Sequence, residues 1–163
     1  MLRAFAAVSL VLIASPASAR QVTASDDYRV CSAEKTAEGL EVVRSACGTF
    51  NKPDFSAAEF SSPEEVKAGE ALRDLLRGEV WDYAQCVTKF ITAYQQPGMP
   101  ADSTAPDLAA CAHSWAQDQA TAVVREFGRA CVDFSNRSMM DARITPWDGA
   151  CYPTQRDIQT GTP

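Results

Sequence analysis

Six cysteines hold most of the reactive chemistry in this sequence: Cys31, Cys47, Cys86, Cys111, Cys131 and Cys151. Free thiolates would serve redox catalysis or bind a soft metal, whereas paired cysteines would cross-link the chain. The spacing separates these uses. No two cysteines form a C-x-x-C pair, which removes the thioredoxin motif, the knuckles of a zinc ribbon and c-type haem attachment. The count is even and all six follow an export-type leader. Three disulfides and no free thiol are therefore expected.

Other reactive residues are sparse. His113 is the single histidine, which argues against a histidine-based metal centre. It stands two residues from Trp115, so on a helix it points away from the apolar side, and a solvated surface position is expected. Cys111 is also two residues away and points about 200° elsewhere, so the two do not form a nucleophile and base. Asp26/Asp27 and Glu64/Glu65 are adjacent acids whose side chains diverge; glycoside hydrolysis needs two carboxylates facing one bond. No dinucleotide, phosphate-loop, nucleophile-elbow or calcium-loop motif occurs. Asn136-Arg137-Ser138 fits the glycosylation acceptor pattern, which has no such meaning in a bacterial chain. No catalytic residue, cofactor or metal ligand is assigned. The candidate for partner binding is the segment around Trp147, Asp148 and Tyr152, where two aromatics sit on an irregular loop beside Cys151. The same rings could instead cover the open side of a bundle.

The elements that must position these residues are helical. Val30, Ala33, Ala37, Leu40, Val43 and Cys47 recur at spacings of three and four, which predicts a first helix over 28–47. Gly39 interrupts it at a cost of about 1 kcal/mol, and Gly48 is placed to cap it, with Phe50 folding back. The stretch 49–61 carries Phe50, Phe55 and Phe60, which are expected to pack rather than form an exposed patch. Ser62, Pro63 and Glu65 form a helix start. The stripe that follows, Leu72, Leu76, Val80, Tyr83, Val87, Phe90, Ile91 and Tyr94, runs to about Gln96, with Arg73, Arg77 and Asp82 off it. Thr104 and Asp107 open a third helix to about Asn136, with Leu108, Ala112, Trp115, Val123, Phe127, Ala130 and Phe134 inward and Gln119 at the edge. From there to Pro153 the sequence is irregular, and 154–163 reads as a disordered tail. The fold class is all-α: an antiparallel three-helix bundle with an irregular, stapled C-terminal segment, in one domain over 20–153.

Helix geometry narrows the disulfides. In a hairpin of the second and third helices, facing positions sum to about 200, which favours Cys86–Cys111. Cys31 and Cys47 lie about 24 Å apart on one helix, beyond the roughly 7 Å a bridge allows. In an up-down-up bundle the C-terminal ends of the first and third helices adjoin, giving Cys47–Cys131 and leaving Cys31–Cys151. A sequential set, 31–47, 86–111 and 131–151, competes if the first helix is short.

The N-terminus has the parts of a signal peptide: Arg3, an apolar run over 4–14, Ser15-Pro16, then Ala17-Ser18-Ala19, with cleavage before Arg20. The run is too short for a membrane anchor, and no cysteine follows it for lipid attachment. The net charge is −6, and loss of a leader whose one charge is Arg3 makes it −7. An acidic chain has no footprint for nucleic acid or an anionic membrane. The alanine-rich leader points to a periplasmic or secreted bacterial protein. The leading functional expectation is a non-enzymatic binding or accessory protein for an unknown protein or small ligand. A carboxylate-dependent hydrolase and a structural or stress-protective envelope protein are the alternatives.

Overall fold

A computed structural model describes residues 31–153. The expected signal peptide, Asp26/Asp27, the expected start of the first helix at Tyr28 and the expected tail over 154–163 lie outside the described residues. Three helices form the bundle: α1, Ala33–Cys47; α2, Pro63–Ala93; and α3, Ala105–Met140. No strand occurs among the described residues.

Local chemistry sets the helix ends. Ser32 caps α1, its side chain accepting from the Lys35 N–H at 3.2 Å. Gly48 stops it with φ 69° and ψ −150°, donating its N–H to the Arg44 carbonyl. That positive φ suits glycine, but the ψ sends the chain out extended. Phe50 therefore meets Tyr83 and Trp115, each at 5.3 Å, instead of folding back on α1. α2 begins as expected, with the Ser62 hydroxyl accepting from the Glu65 N–H at 3.3 Å. The reciprocal bond goes one residue further back: Glu65 accepts from the Ser61 N–H at 2.7 Å and its hydroxyl at 2.9 Å. Thr104 precedes α3 without a side-chain cap bond. α3 runs four residues beyond Asn136 because Ser138 is buried and its hydroxyl donates to the Ser135 carbonyl at 2.8 Å.

α2 and α3 form the antiparallel hairpin. Arg73 lies over the Phe127 ring, 4.7 Å from its centroid, and Gly69 faces the same ring. Facing positions thus sum to about 200, as the sequence reading assumed, and Cys86 is level with Cys111. These two cysteines nevertheless do not pair. The bridges are Cys31–Cys111, Cys47–Cys86 and Cys131–Cys151, with Cα separations of 5.5, 5.6 and 5.4 Å. This corrects Cys86–Cys111, Cys47–Cys131 and Cys31–Cys151. Of the competing sequential set, Cys131–Cys151 alone is present.

The reason is the direction of α1. Its ends, about 24 Å apart, reach two cysteines at one level of the hairpin. α1 therefore crosses the loop end of the hairpin rather than lying along it, and takes one partner from each helix. Gly39 permits this crossing: a Cβ there would strike the Leu108 carbonyl. The break in the sequence stripe is a point where the two helix backbones come close. Further down, the third side of the bundle is built by the 49–62 connection. Phe55 and Phe60 are buried against Phe127, with ring centroids 5.6 and 5.8 Å away. Arg129 donates to the Ser56 carbonyl and Arg137 to the Phe60 carbonyl, both at 2.6 Å, which satisfies backbone that no helix pairs. Cys131 thus faces no helix end. The C-terminal segment covers it instead.

The core stripe of α2 differs in one place from the sequence pattern. Leu72 is 50% exposed, whereas Arg73 is only 4% exposed. The buried band runs through Val66, Gly69, Arg73, Leu76, Val80, Tyr83 and Val87, so at this turn its next member is an arginine. Asp74 accepts from Arg73 at 2.8 and 3.0 Å, Glu70 lies at 3.4 Å, and the guanidinium covers an aromatic face. A fork-and-carboxylate pair with a ring beneath it makes that burial tolerable. A hydropathy pattern places arginine outside the core and cannot register such a partner.

The Tyr83 hydroxyl is buried with no hydrogen-bond partner, and burial raises its pKa. Tyr83→Phe removes an unsatisfied hydroxyl and keeps the ring contact with Phe50. We expect it to stabilise the fold by about 1 kcal/mol, read as a higher urea midpoint at unchanged slope. A loss of 1 kcal/mol or more would reveal a partner for the hydroxyl.

Candidate functional site

α1 and α3 each offer side chains at i, i+3, i+4 and i+7 where they cross. On α1 these are Ala33, Thr36, Ala37 and Leu40; on α3 they are Cys111, Ser114, Trp115 and Asp118. Between them lies a groove of about 550 Å³, with Cys31 completing its wall. The small side chains of α1 leave the space open, and the Cys31–Cys111 bridge ties its two walls together. Trp115 lines the groove and also packs against Phe50. Most of the wall is apolar, with two hydroxyls and one carboxylate. Preformed concavity with a few polar groups is the usual shape of a small-ligand site.

Sequence reasoning missed this site. The apolar spacing places Trp115 in a core stripe and the alanines of α1 on one face of a helix. The spacing of the two sets was legible, but that they oppose each other depends on the crossing.

The expected partner loop divides in two. Trp147 packs against the core and its Nε1 is buried without a hydrogen-bond partner. Gly149 gives the indole room, since a Cβ there would strike it. Asp148 is exposed. Tyr152 lies over Gly128 but remains 48% exposed. Trp147 thus covers the bundle, while Asp148 and Tyr152 face outward. This loop is fastened at Cys131, about 30 Å along α3 from Cys111, so it is a separate surface from the groove.

The acids with shifted pKa values all move down. Glu65 is lowered by the backbone and side-chain hydrogen bonds from Ser61, Asp54 by those from Ser56, and Asp141 by those from Arg143. A general acid needs the opposite shift. Glu65 is engaged in the α2 cap, while Glu64 is exposed. Among the described residues no group of three or more potential ligands could hold a metal.

His113 is not solvated as expected. It is half-buried in the third turn of α3, its Nδ1 lacks a partner, and desolvation lowers its pKa from 6.5. Above pH 6.5 the imidazole is neutral in both the folded and the unfolded state. Below it the unfolded chain binds the proton first. Stability therefore falls as pH drops from 6.5 through the depressed folded value. Urea midpoints of wild type and His113→Gln across this window test the point: the variant should lose part of the slope, and identical slopes would contradict it.

No family model, curated protein or solved structure matches the chain. The class defined by fold and site is a disulfide-linked three-helix bundle with a groove under its crossing helix. No helix among the described residues is long and apolar enough to cross a membrane. Three intramolecular disulfides fit an oxidising, exported environment.

Proposed function

We propose that this is a periplasmic or secreted binding protein, without catalytic activity, that takes a small ligand in the groove between α1 and α3. The groove itself carries the reading: a concavity of about 550 Å³, lined by both apolar and polar side chains, whose walls are covalently joined. A joined pair of walls is pre-organised, so little ordering is left to oppose binding. The same reading leaves Asp148 and Tyr152 as the part of the C-terminal loop open to a protein partner.

The test is titration with a neutral fluorescent probe, N-phenyl-1-naphthylamine. Wild type should bind one probe saturably. Ala37→Phe, which fills the groove from an exposed α1 position, should weaken it about fivefold or more with helix content unchanged. Absence of saturable binding, or equal binding by the variant, would remove the groove as a site.

A further inference from the structure

We propose that the groove selects a monocationic ligand, an ammonium group carried on an apolar body; the inference rests on the groove being a binding site. Asp118 is the one formally charged residue in the groove wall, where it stands a helical turn beyond Trp115. It makes no ion pair among the described residues. No lysine, arginine or histidine lines the groove to neutralise it or to receive an anion.

The rest of the wall fits the rest of such a ligand. Leu40, Ala37, Ala33 and the Cys31–Cys111 bridge are apolar and would take an alkyl or aryl body. Trp115 adds an indole, the best side-chain surface for a cation. The Thr36 hydroxyl can accept from an ammonium N–H. A carboxylate, an indole and an apolar floor are the partners an amphipathic amine requires. An anionic ligand would meet uncompensated negative charge there, in a chain whose net charge is already −6.

The contrast expected is modest, because Asp118 is exposed. A solvent-exposed ion pair with an aromatic contact corresponds to about fivefold to tenfold in affinity. Displacement of bound N-phenyl-1-naphthylamine by hexylammonium, 1-hexanol and hexanoate measures it at low ionic strength. Hexylammonium should displace the probe at a concentration about fivefold or more below hexanol, with hexanoate weakest. Asp118→Asn should cut the ammonium advantage to the smaller part that the Trp115 indole supplies and leave hexanol unchanged. Asp133→Asn, on a different part of α3, should retain the advantage and so exclude a general effect of net charge. Equal displacement by hexanol and hexylammonium would overturn the ligand class, as would a preference that Asp118→Asn leaves undiminished. In both cases displacement itself would leave the groove as a binding site. Failure of the probe to bind, or of all three compounds to displace it, would overturn both.

Discussion

Replacing Cys31 and Cys111 together by serine should lower stability by about 4 kcal/mol. The bridge spans 80 residues, but that span contains the Cys47–Cys86 bridge. With the inner bridge intact, the effective loop is 16 residues of α1 plus 25 residues from Cys86 to Cys111, or 41. Because loop entropy rises only with the logarithm of length, the shortening from 80 to 41 changes the expected loss by less than about 1 kcal/mol. Cys131–Cys151 closes a loop of 20 residues, for which about 3 kcal/mol is expected. Urea denaturation of each double-serine variant, followed by circular dichroism, gives the order. A loss below about 1 kcal/mol for Cys31/Cys111 would mean that packing alone holds α1 across the hairpin. A serine pair at Cys86 and Cys111 breaks two bridges at once and leaves Cys31 and Cys47 as free thiols. Thiol titration of that variant, under denaturing and non-reducing conditions, should find two sulfhydryls per chain; finding none would restore the Cys86–Cys111 pairing.

Gly39→Ala and Gly78→Ala should change stability in opposite directions. Both glycines lie in helices, and alanine improves helix propensity by about 1 kcal/mol at each. At Gly78 an added Cβ meets nothing within 4 Å, so the gain is kept, and stabilisation of about 0.5–1 kcal/mol is expected. At Gly39 it meets the Leu108 carbonyl and the Ala112 amide. These are backbone atoms of α3 and cannot swing aside as a side-chain end would. Overpacking of this kind costs typically 1–3 kcal/mol and more when nothing yields. The net expectation is a loss of about 2 kcal/mol, larger for Gly39→Val. Thermal midpoints of the two alanine variants decide it. Stabilisation by both would show that α1 is free to lift away from α3. Lifting would also open the groove, so Gly39→Ala should weaken probe binding while Gly78→Ala leaves it intact.

The helices were readable because their signals are local. Ser62, Pro63 and Glu65 mark the start of α2 within four residues. The three- and four-residue spacing of apolar side chains marks the buried faces of α2 and α3 with few errors. Those errors have particular causes. Arg73 entered the core because Asp74, Glu70 and Phe127 surround it, and Phe127 is 54 residues away in sequence. His113 also lost water on folding, and burial lowers its pKa.

The cysteine pairing shows where sequence reasoning stopped. The hairpin arithmetic was sound, since Cys86 and Cys111 are level. The assumption of three parallel-axis helices was not. α1 covers only the loop end, because the aromatic connection through Phe50, Phe55 and Phe60 occupies the space a longer helix would have used. The candidate groove was hidden by the same fact. Its two rows of residues, on α1 and α3, lie about 80 residues apart and meet only at the crossing.

By itself the sequence determined what short-range physics controls: an all-α chain, the start of α2, the inward faces of the long helices and the cross-linking of every described cysteine. The tertiary structure decided the crossing of α1, the three pairings of the cysteines, the burial of Arg73 and His113, and the groove. Each of these depends on the rotation and tilt of one helix against another. Those angles come from side chains meeting across the core, such as Gly39 against Leu108, and such contacts leave no periodic trace along the chain.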